Sequence, residues 1–378
     1  MTGIRSLVCG SLAGVVLWAA TGAIVQGADA ASNLEAIRKI GHKGEGHAAA
    51  QAAVKELSAQ GVDVLPEVLK AMGGANPLAT NWLRGTFETI AADALKNKQP
   101  LPMKELTAFF ENREHDGRAR RLAYEWMIQV DPKLADQIVP LSLDDPSAEM
   151  RRDAVARLLK QGEAAQAKGD TENAVESFQA ALSGATDDDQ VTPLIDKLGK
   201  LDVKVNRVQH FGLLTSWKVI GPFDNVGSKN FSVVYPPENE VKFDAEYDGQ
   251  LGKVRWEEFV SDNEKGEFDL AKLTKPHKGA IDYAATTFNS GSERDVEFRI
   301  ATANAWKLWV NGELVFAREE YHRGMRFDQY RIPGHLKQGD NLILLKVCQN
   351  EQTEDWAQDW SFQFRICDLT GRALHSGE

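Results

Sequence analysis

The sequence predicts an N-terminal α-helical solenoid followed by a C-terminal antiparallel β-sandwich. Three observations carry this. Residues 33 to about 200 read as one amphipathic helix after another, with no strand-like stretch between them. From about Phe211 aromatic and β-branched residues rise, and Gly, Pro, Asn and Asp clusters cut the chain into short segments. A length of 378 residues with 43% hydrophobic and 26% charged residues suits a globular protein of two or three domains. The net charge of -11 and a pI near 5.4 argue against nucleic acid, whose binding needs a basic face, and against anionic lipid.

The first thirty residues stand apart. Arg5 precedes an apolar stretch from Leu7 to Val25, and Ala28 and Ala30 form the A-x-A pattern of a secretory cleavage site. Residues 1–30 therefore read as a signal peptide cleaved after Ala30, which implies export to a periplasmic or extracellular compartment. An uncleaved anchor is the alternative, because the stretch approaches spanning length. Cys9 lies too early for a lipoprotein signal.

The helical part begins clearly at "NPLATNWLRGTFETIAADALKNK", where Leu78, Trp82, Leu83, Phe87 and Ile90 recur near helical spacing and Pro77 suits a first turn. "PMKELTAFFENR", "DGRARRLAYEWMIQVD" and "PKLADQIVPLSLDD" follow. "DPSAEMRRDAVARLLKQG" comes next, with Ser147 as a candidate N-cap and Met150, Val155, Leu158 and Leu159 as its stripe. Short helices with short links bury their faces by stacking, hence the solenoid. "DDPSAEMRRDAVARLL" resembles a HEAT-type repeat, in a region bounded at 31–162. "EAAQAKGDTENAVESFQAALSGA" is similar to a tetratricopeptide unit, with Gly169 at the turn and Ala174, Phe178, Ala181 and Leu182 at packing positions, within 163–205. Either resemblance implies a scaffold that docks a protein partner.

The β-rich part spans 206–378. Its candidate strands are "LLTSWKVI", "KVRWEEFV", "AIDYAATTF", "DVEFRIAT", "AWKLWV", "ELVFA", "NLILLKVC" and "WSFQFRIC". Asn311-Gly312 supplies the two positive-φ positions of a type I′ hairpin turn. That pairs Val310 with Glu313, Leu308 with Val315, and Trp306 with Ala317. Trp309 and Phe316 then share a face too apolar for water, to be covered by a loop, the helical part or a ligand. "V-N-G … F-D … L-K-x-G-D-N-L-I-x-L-K-V" resembles the sugar-binding jelly-roll domain of β-galactosidase-type glycoside hydrolases and the wider galactose-binding-like class, over about residues 280 to 367. In those enzymes the domain is mostly an accessory and the catalytic carboxylates lie in a separate barrel, for which no segment exists here. "SWKVIGPFDN" with "YPPE" is similar to a pattern of exported multidomain bacterial proteins.

No G-x-S-x-G, P-loop, G-x-G-x-x-G after a strand, H-E-x-x-H or C-x-x-C-H motif occurs. Tyr321, His322 and Arg323 form a polar aromatic cluster that either meets a sugar or packs on its own sandwich. In "EQTEDWAQDW", Asp355, Trp356, Gln358 and Asp359 fit sugar recognition, a calcium loop or a plain turn. Asp224 and Asn225 fit an Asx-type turn or calcium. Cys348 and Cys367 fall on neighbouring strands with the same outward parity, so they are either a disulfide or two thiols. The expectation is an exported, non-catalytic binding or scaffold protein, its helices docking a protein and its sandwich binding carbohydrate. No cofactor is expected beyond a possible calcium ion, and neither nucleic acid nor membrane partners beyond the signal peptide. The alternatives are a purely structural envelope scaffold and an unrecognised carbohydrate-active hydrolase or lyase.

Overall fold

A computed structural model describes residues 30–274 and 278–377. The expected signal peptide, apart from Ala30, lies outside the described residues. The chain divides into two compact units, 1–153 and 154–378. Among the described residues no helix is long and apolar enough to cross a membrane.

The first unit is helical throughout its described residues. It comprises α1 (30–38), α2 (His47–Gln60), α3 (Leu65–Met72), α4 (Pro77–Lys96), α5 (Met103–Glu111), α6 (Gly117–Val130), α7 (Leu134–Ile138) and the start of α8 (Ala148–Ala167). Local chemistry sets the starts. Asn76 accepts from the Ala79 N–H at 3.0 Å ahead of Pro77, and Asp116 accepts from the N–H groups of Arg118 and Ala119. Leu83, Phe87 and Ile90 of α4 and Leu122, Trp126 and Met127 of α6 are buried, with Phe87 edge-on to Trp126. Arg120 forms a two-pronged pair with Asp145 at 2.7 and 2.8 Å, both sealed from water. Arg151 completes the turn by donating to the Asp145 carbonyl.

The second unit opens with the rest of α8, then α9 (Thr171–Gly184), α10 (Asp188–Gly199) and α11 (Arg207–Phe211). Ala174, Phe178, Ala181 and Leu182 are buried as the packing pattern required. Gly162 permits this, because a Cβ there would lie 2.4 Å from the Phe178 ring. Among the described residues twelve strands follow: β1 (Ser216–Asp224), β2 (Glu246–Gly249), β3 (Gly252–Arg255), β4 (Glu257–Val260), β5 (Phe268–Asp269), β6 (Ala280–Ser290), β7 (Arg294–Thr302), β8 (Ala305–Val310), β9 (Glu313–Arg318), β10 (Tyr330–Leu336), β11 (Gly339–Gln349) and β12 (Ser361–Cys367). They form a six-stranded sheet, β4-β1-β6-β11-β8-β9, a four-stranded sheet, β10-β7-β12-β5, and the β2-β3 hairpin. All pairings are antiparallel and neither large sheet closes on itself.

One apolar core lies between the large sheets, drawing Phe288, Trp306, Leu308, Leu345 and Val347 from one and Phe298, Phe362 and Phe364 from the other. The outer faces are covered as well. On the six-stranded sheet, Phe231, Val254 and Trp256 pack over Tyr283, Trp309, Leu344 and Cys348. On the four-stranded sheet, Arg365 and Arg299 both grip Asp328, and Arg365 lies over the rings of Phe211 and Phe327.

The cover of the larger sheet is held by Lys346. Its ammonium is fully buried and donates to the carbonyls of Asn230, Phe231 and Val233 and to Glu238 at 2.8 Å. Tyr283 donates to the same carboxylate, and Tyr235 donates to the Asp224 carbonyl at 2.7 Å. The "GPFDN…YPPE" pattern is thus the chemistry of a clasp.

Two expectations, the hairpin register and the shared face of Trp309 and Phe316, need correction, and the open question of the cysteines is resolved. The hairpin keeps Val310 opposite Glu313, but a bulge follows, so Leu308 pairs with Phe316 and Trp306 with Arg318. Phe316 therefore stacks on Trp306 at 4.9 Å, on the inner face, while Trp309 is buried on the outer one. Cys348 and Cys367 are both free and buried. They lie on the outer faces of different sheets, so a core about 10 Å thick separates them, beyond the reach of a disulfide. Parity was read correctly, but outward meant covered.

Replacing Lys346 with Met should destabilise the protein by about 3–5 kcal/mol, because three carbonyls lose their donor and Glu238 its counter-charge in a dry site. Urea unfolding measures this, and adding Glu238→Gln should recover part of the loss.

Candidate functional site

Four loops meet at one end of the sandwich: the turn after β1, the β7–β8 connection, the loop after β9 and the loop after β11. Gln349, at the end of β11 and buried, ties them. Its carbonyl accepts from the Asn225 amide at 3.0 Å, and its side-chain oxygen accepts from Asn304 at 3.1 Å. Asn304 also donates to the Asp359 carbonyl. Gly279 donates to the carbonyl of Asn350 and in turn accepts from the N–H of Asn225. Lys278 donates to the Ala357 carbonyl at 2.7 Å, holding the short 3-10 turn Asp355–Ala357 in place.

On this base stand three of the residues singled out in the sequence. Tyr321 is half-buried and its hydroxyl accepts from Asn225 at 3.0 Å; burial pushes that hydroxyl up to about 12. His322 adopts a positive φ of 59° and places its ring 5.1 Å from Trp356, edge to face at 88°. Its Nε2 bonds to Asn350 Oδ1 at 2.9 Å. Trp356 itself is 60% exposed, and Glu351, Glu354 and Asp355 beside it are exposed too. An open indole face next to fixed polar groups can take the C–H face of a flat or ring-shaped polar ligand.

The other sequence candidates do not join them. Trp309 and Phe316 are in the two apolar clusters. Arg323 is exposed and pairs with Glu320 at 3.1 Å. Gln358 turns its amide onto the carbonyls of Thr353 and Glu354. Asp359 lines a separate cavity of about 1170 Å³ with Arg207, Met325 and Phe327. Asp224 and Asn225 have their side-chain oxygens on turn bonds from Val226 and Asn230, which is the Asx-type arrangement rather than an open calcium site. Among the described residues no group of three or more His, Cys, Asp or Glu could hold a metal ion.

Sequence reasoning missed Lys278, Asn304, Gln349 and Asn350 as organisers. The available signal was the amide pair Gln349-Asn350 closing an apolar strand, where a free strand end would carry a turn residue.

A second cavity, about 500 Å³, lies over the bulge in β1 and is lined by Val219, Gly221, Leu251, Glu257 and Thr274. Asp282 faces that bulge from β6. It is fully buried, Thr274 donates to its Oδ2 at 2.5 Å, and among the described residues its Oδ1 has no partner. Gly221 is required here, since a Cβ would come within 1.9 Å of Oδ1. Burial pushes the carboxyl up to about 8, with the Thr274 bond acting the other way.

No protein-family model matches the chain, and no curated protein does. The solved structures to which it is similar over about two-fifths of its length include the following three. A β-glucosidase from Kluyveromyces marxianus in complex with glucose shares 9% identity over 40% of this chain and 16% of that one, at a TM-score of 0.25. An anti-sigma factor domain-containing protein from Clostridium clariflavum shares 11% over 43% and 45%, at 0.25. A β-glucuronidase from an uncultured Clostridium shares 12% over 41% and 28%, at 0.26. The chain spans less than half the length of each, and likenesses this slight carry no functional argument.

Because the folded Asp282 binds its proton more tightly than the unfolded chain does, its stabilising contribution is complete below about pH 4 and is lost as pH rises through about 8. Asp282→Asn should therefore match the wild type in stability near pH 4 and exceed it by roughly 5 kcal/mol at pH 8, about 1.4 kcal/mol for each unit of the rise, by denaturant titration at both values.

Proposed function

We propose that this chain is an exported, non-catalytic binding protein. Its β-sandwich, read as a jelly roll, holds a carbohydrate at the Tyr321–His322–Trp356 end, and its helical part, read as a solenoid, docks a protein partner. The observation that carries the reading is Trp356: a large apolar ring left 60% open to water on a turn held by Lys278 and braced by a histidine. A ring fixed in that way, against one histidine and otherwise open, belongs to neither apolar core. Sugars offer the complementary surface, an apolar C–H face rimmed by hydroxyls, to the indole and the surrounding amides and carboxylates.

The enzyme reading has one observation in its favour, the proton-retaining Asp282 beside a cavity. Against it, Asp282 is sealed behind Gly221 and Thr274 and touches no solvent, so no substrate reaches it without rearrangement.

Affinity electrophoresis through gels containing neutral polysaccharides tests the proposal, with and without a calcium chelator. The wild type should be retarded by at least one neutral glycan regardless of chelator. Trp356→Ala should weaken retention about tenfold or more with an unchanged melting temperature. Equal retention of that variant, or release of reducing sugar by the wild type, would contradict it.

A further inference from the structure

The hydrogen bonds around His322 fix more than its position. Asn350 is about nine-tenths buried, and its Oδ1 accepts from the backbone N–H of Gln352 at 3.1 Å while its amide nitrogen donates to Gln352 Oε1 at 3.0 Å. A backbone N–H has no lone pair, so the Asn350 atom facing it must be oxygen. His322 Nε2, 2.9 Å from that same oxygen, must therefore be the donor. The neutral imidazole then carries its hydrogen on Nε2 and its lone pair on Nδ1. Among the described residues nothing bonds to Nδ1, and the ring it belongs to stands 5.1 Å from the exposed Trp356 ring at 88°.

We infer that His322 is the specificity-determining residue of this site: its Nδ1 accepts a hydrogen bond from a ligand hydroxyl while Trp356 takes the ligand's apolar face. The site therefore selects uncharged, polyhydroxylated sugars and holds them less tightly once the imidazole gains a proton. This rests on the carbohydrate reading above and adds to it the atom that reads the ligand. Protonation puts a second N–H where the lone pair was, so the hydroxyl must turn and its own hydrogen loses its acceptor. The charged groups on the elements around His322 are Glu351, Glu354 and Asp355 on the Trp356 loop, Lys278 beneath it, Asp224 on the turn ahead of Asn225, and Glu319, Glu320 and Arg323 on its own loop. Three exposed carboxylates beside the indole also repel anionic sugars.

The test combines nitrogen NMR of the full chain with binding of cellohexaose, xylohexaose and mannohexaose, and of polygalacturonate as the anionic control. Long-range ring correlations should show His322 as the Nε2–H tautomer with no ligand present. The best-bound neutral hexasaccharide should lose about fivefold in affinity as the same spectra show the ring gaining its proton. His322→Gln should remove that pH dependence, and polygalacturonate should bind least. An Nδ1–H tautomer, affinity that stays level or rises on acidification, or preferential polygalacturonate binding overturns the inference. Trp356-dependent binding that ignores pH sinks this inference alone. Failure of all three hexasaccharides to bind sinks the carbohydrate reading with it. The wild-type spectra and titrations need no variant, so a poorly folding His322→Gln leaves the outcome decided.

Discussion

Three buried polar residues at the end of β11, Lys346, Gln349 and the Asn350 that follows the strand, are the constraint on which the second unit depends. An apolar strand at the centre of a six-stranded sheet would close that part of the core with less desolvation. Instead Lys346 reaches outward to three carbonyls and Glu238, Gln349 gathers the turns around Asn225 and Asn304, and Asn350 fixes His322. Buried polar groups are stable only with their partners in place. Each bond therefore commits an otherwise free loop to one conformation. The cover of the larger sheet and the aromatic end of the sandwich follow from the same strand.

The same logic works on the smaller sheet with the charges reversed. There the buried anion is Asp328, at a positive φ of 53°, and Arg299 and Arg365 converge on it. The guanidinium of Arg365 also lies over Phe211 and Phe327, and that of Arg207 over the same two rings, so the helix before β1 is tied to the sheet by cations over aromatics. The inner strands of both sheets are thus buried on both faces, while the edge strands β4, β9 and β10 stay partly open. This explains why neither Trp309 nor Cys348 is available to solvent although both point away from the central core.

That double burial also marks where sequence reasoning stopped. Periodicity located the helices and the long strands, because hydrophobic spacing is local. It placed Cys348 and Cys367 on outward faces, which is where they are, but a pattern cannot say that an outward face is covered. The hairpin turn was legible in Asn311-Gly312, yet the bulge beyond it was not, since nothing in "ELVFA" distinguishes one register from the other. That single extra residue moved Phe316 to the inner face and dissolved the supposed pair with Trp309. Tyr321, His322 and Trp356 were legible as candidates by composition alone, an aromatic among amides and acids. Their convergence was not, because it is set by side-chain hydrogen bonds between residues far apart in sequence, such as that from the Asn225 amide to the Gln349 carbonyl.

A pre-formed aromatic platform on a rigid base suits binding, which gains from groups that need not be ordered when the ligand arrives. Everything said of that platform depends on β11 holding it still. Native-state hydrogen exchange on the unliganded wild type measures this directly, at the amides of Asn225 and Gly279, which bond to Gly279 and Asn350 respectively. If the three polar residues organise the loops, both amides exchange as slowly as those of β6 and β11, through a shared opening. If they exchange at the rate of free loop amides while the sheet stays protected, β11 does not hold that end of the sandwich, and the site has no fixed base.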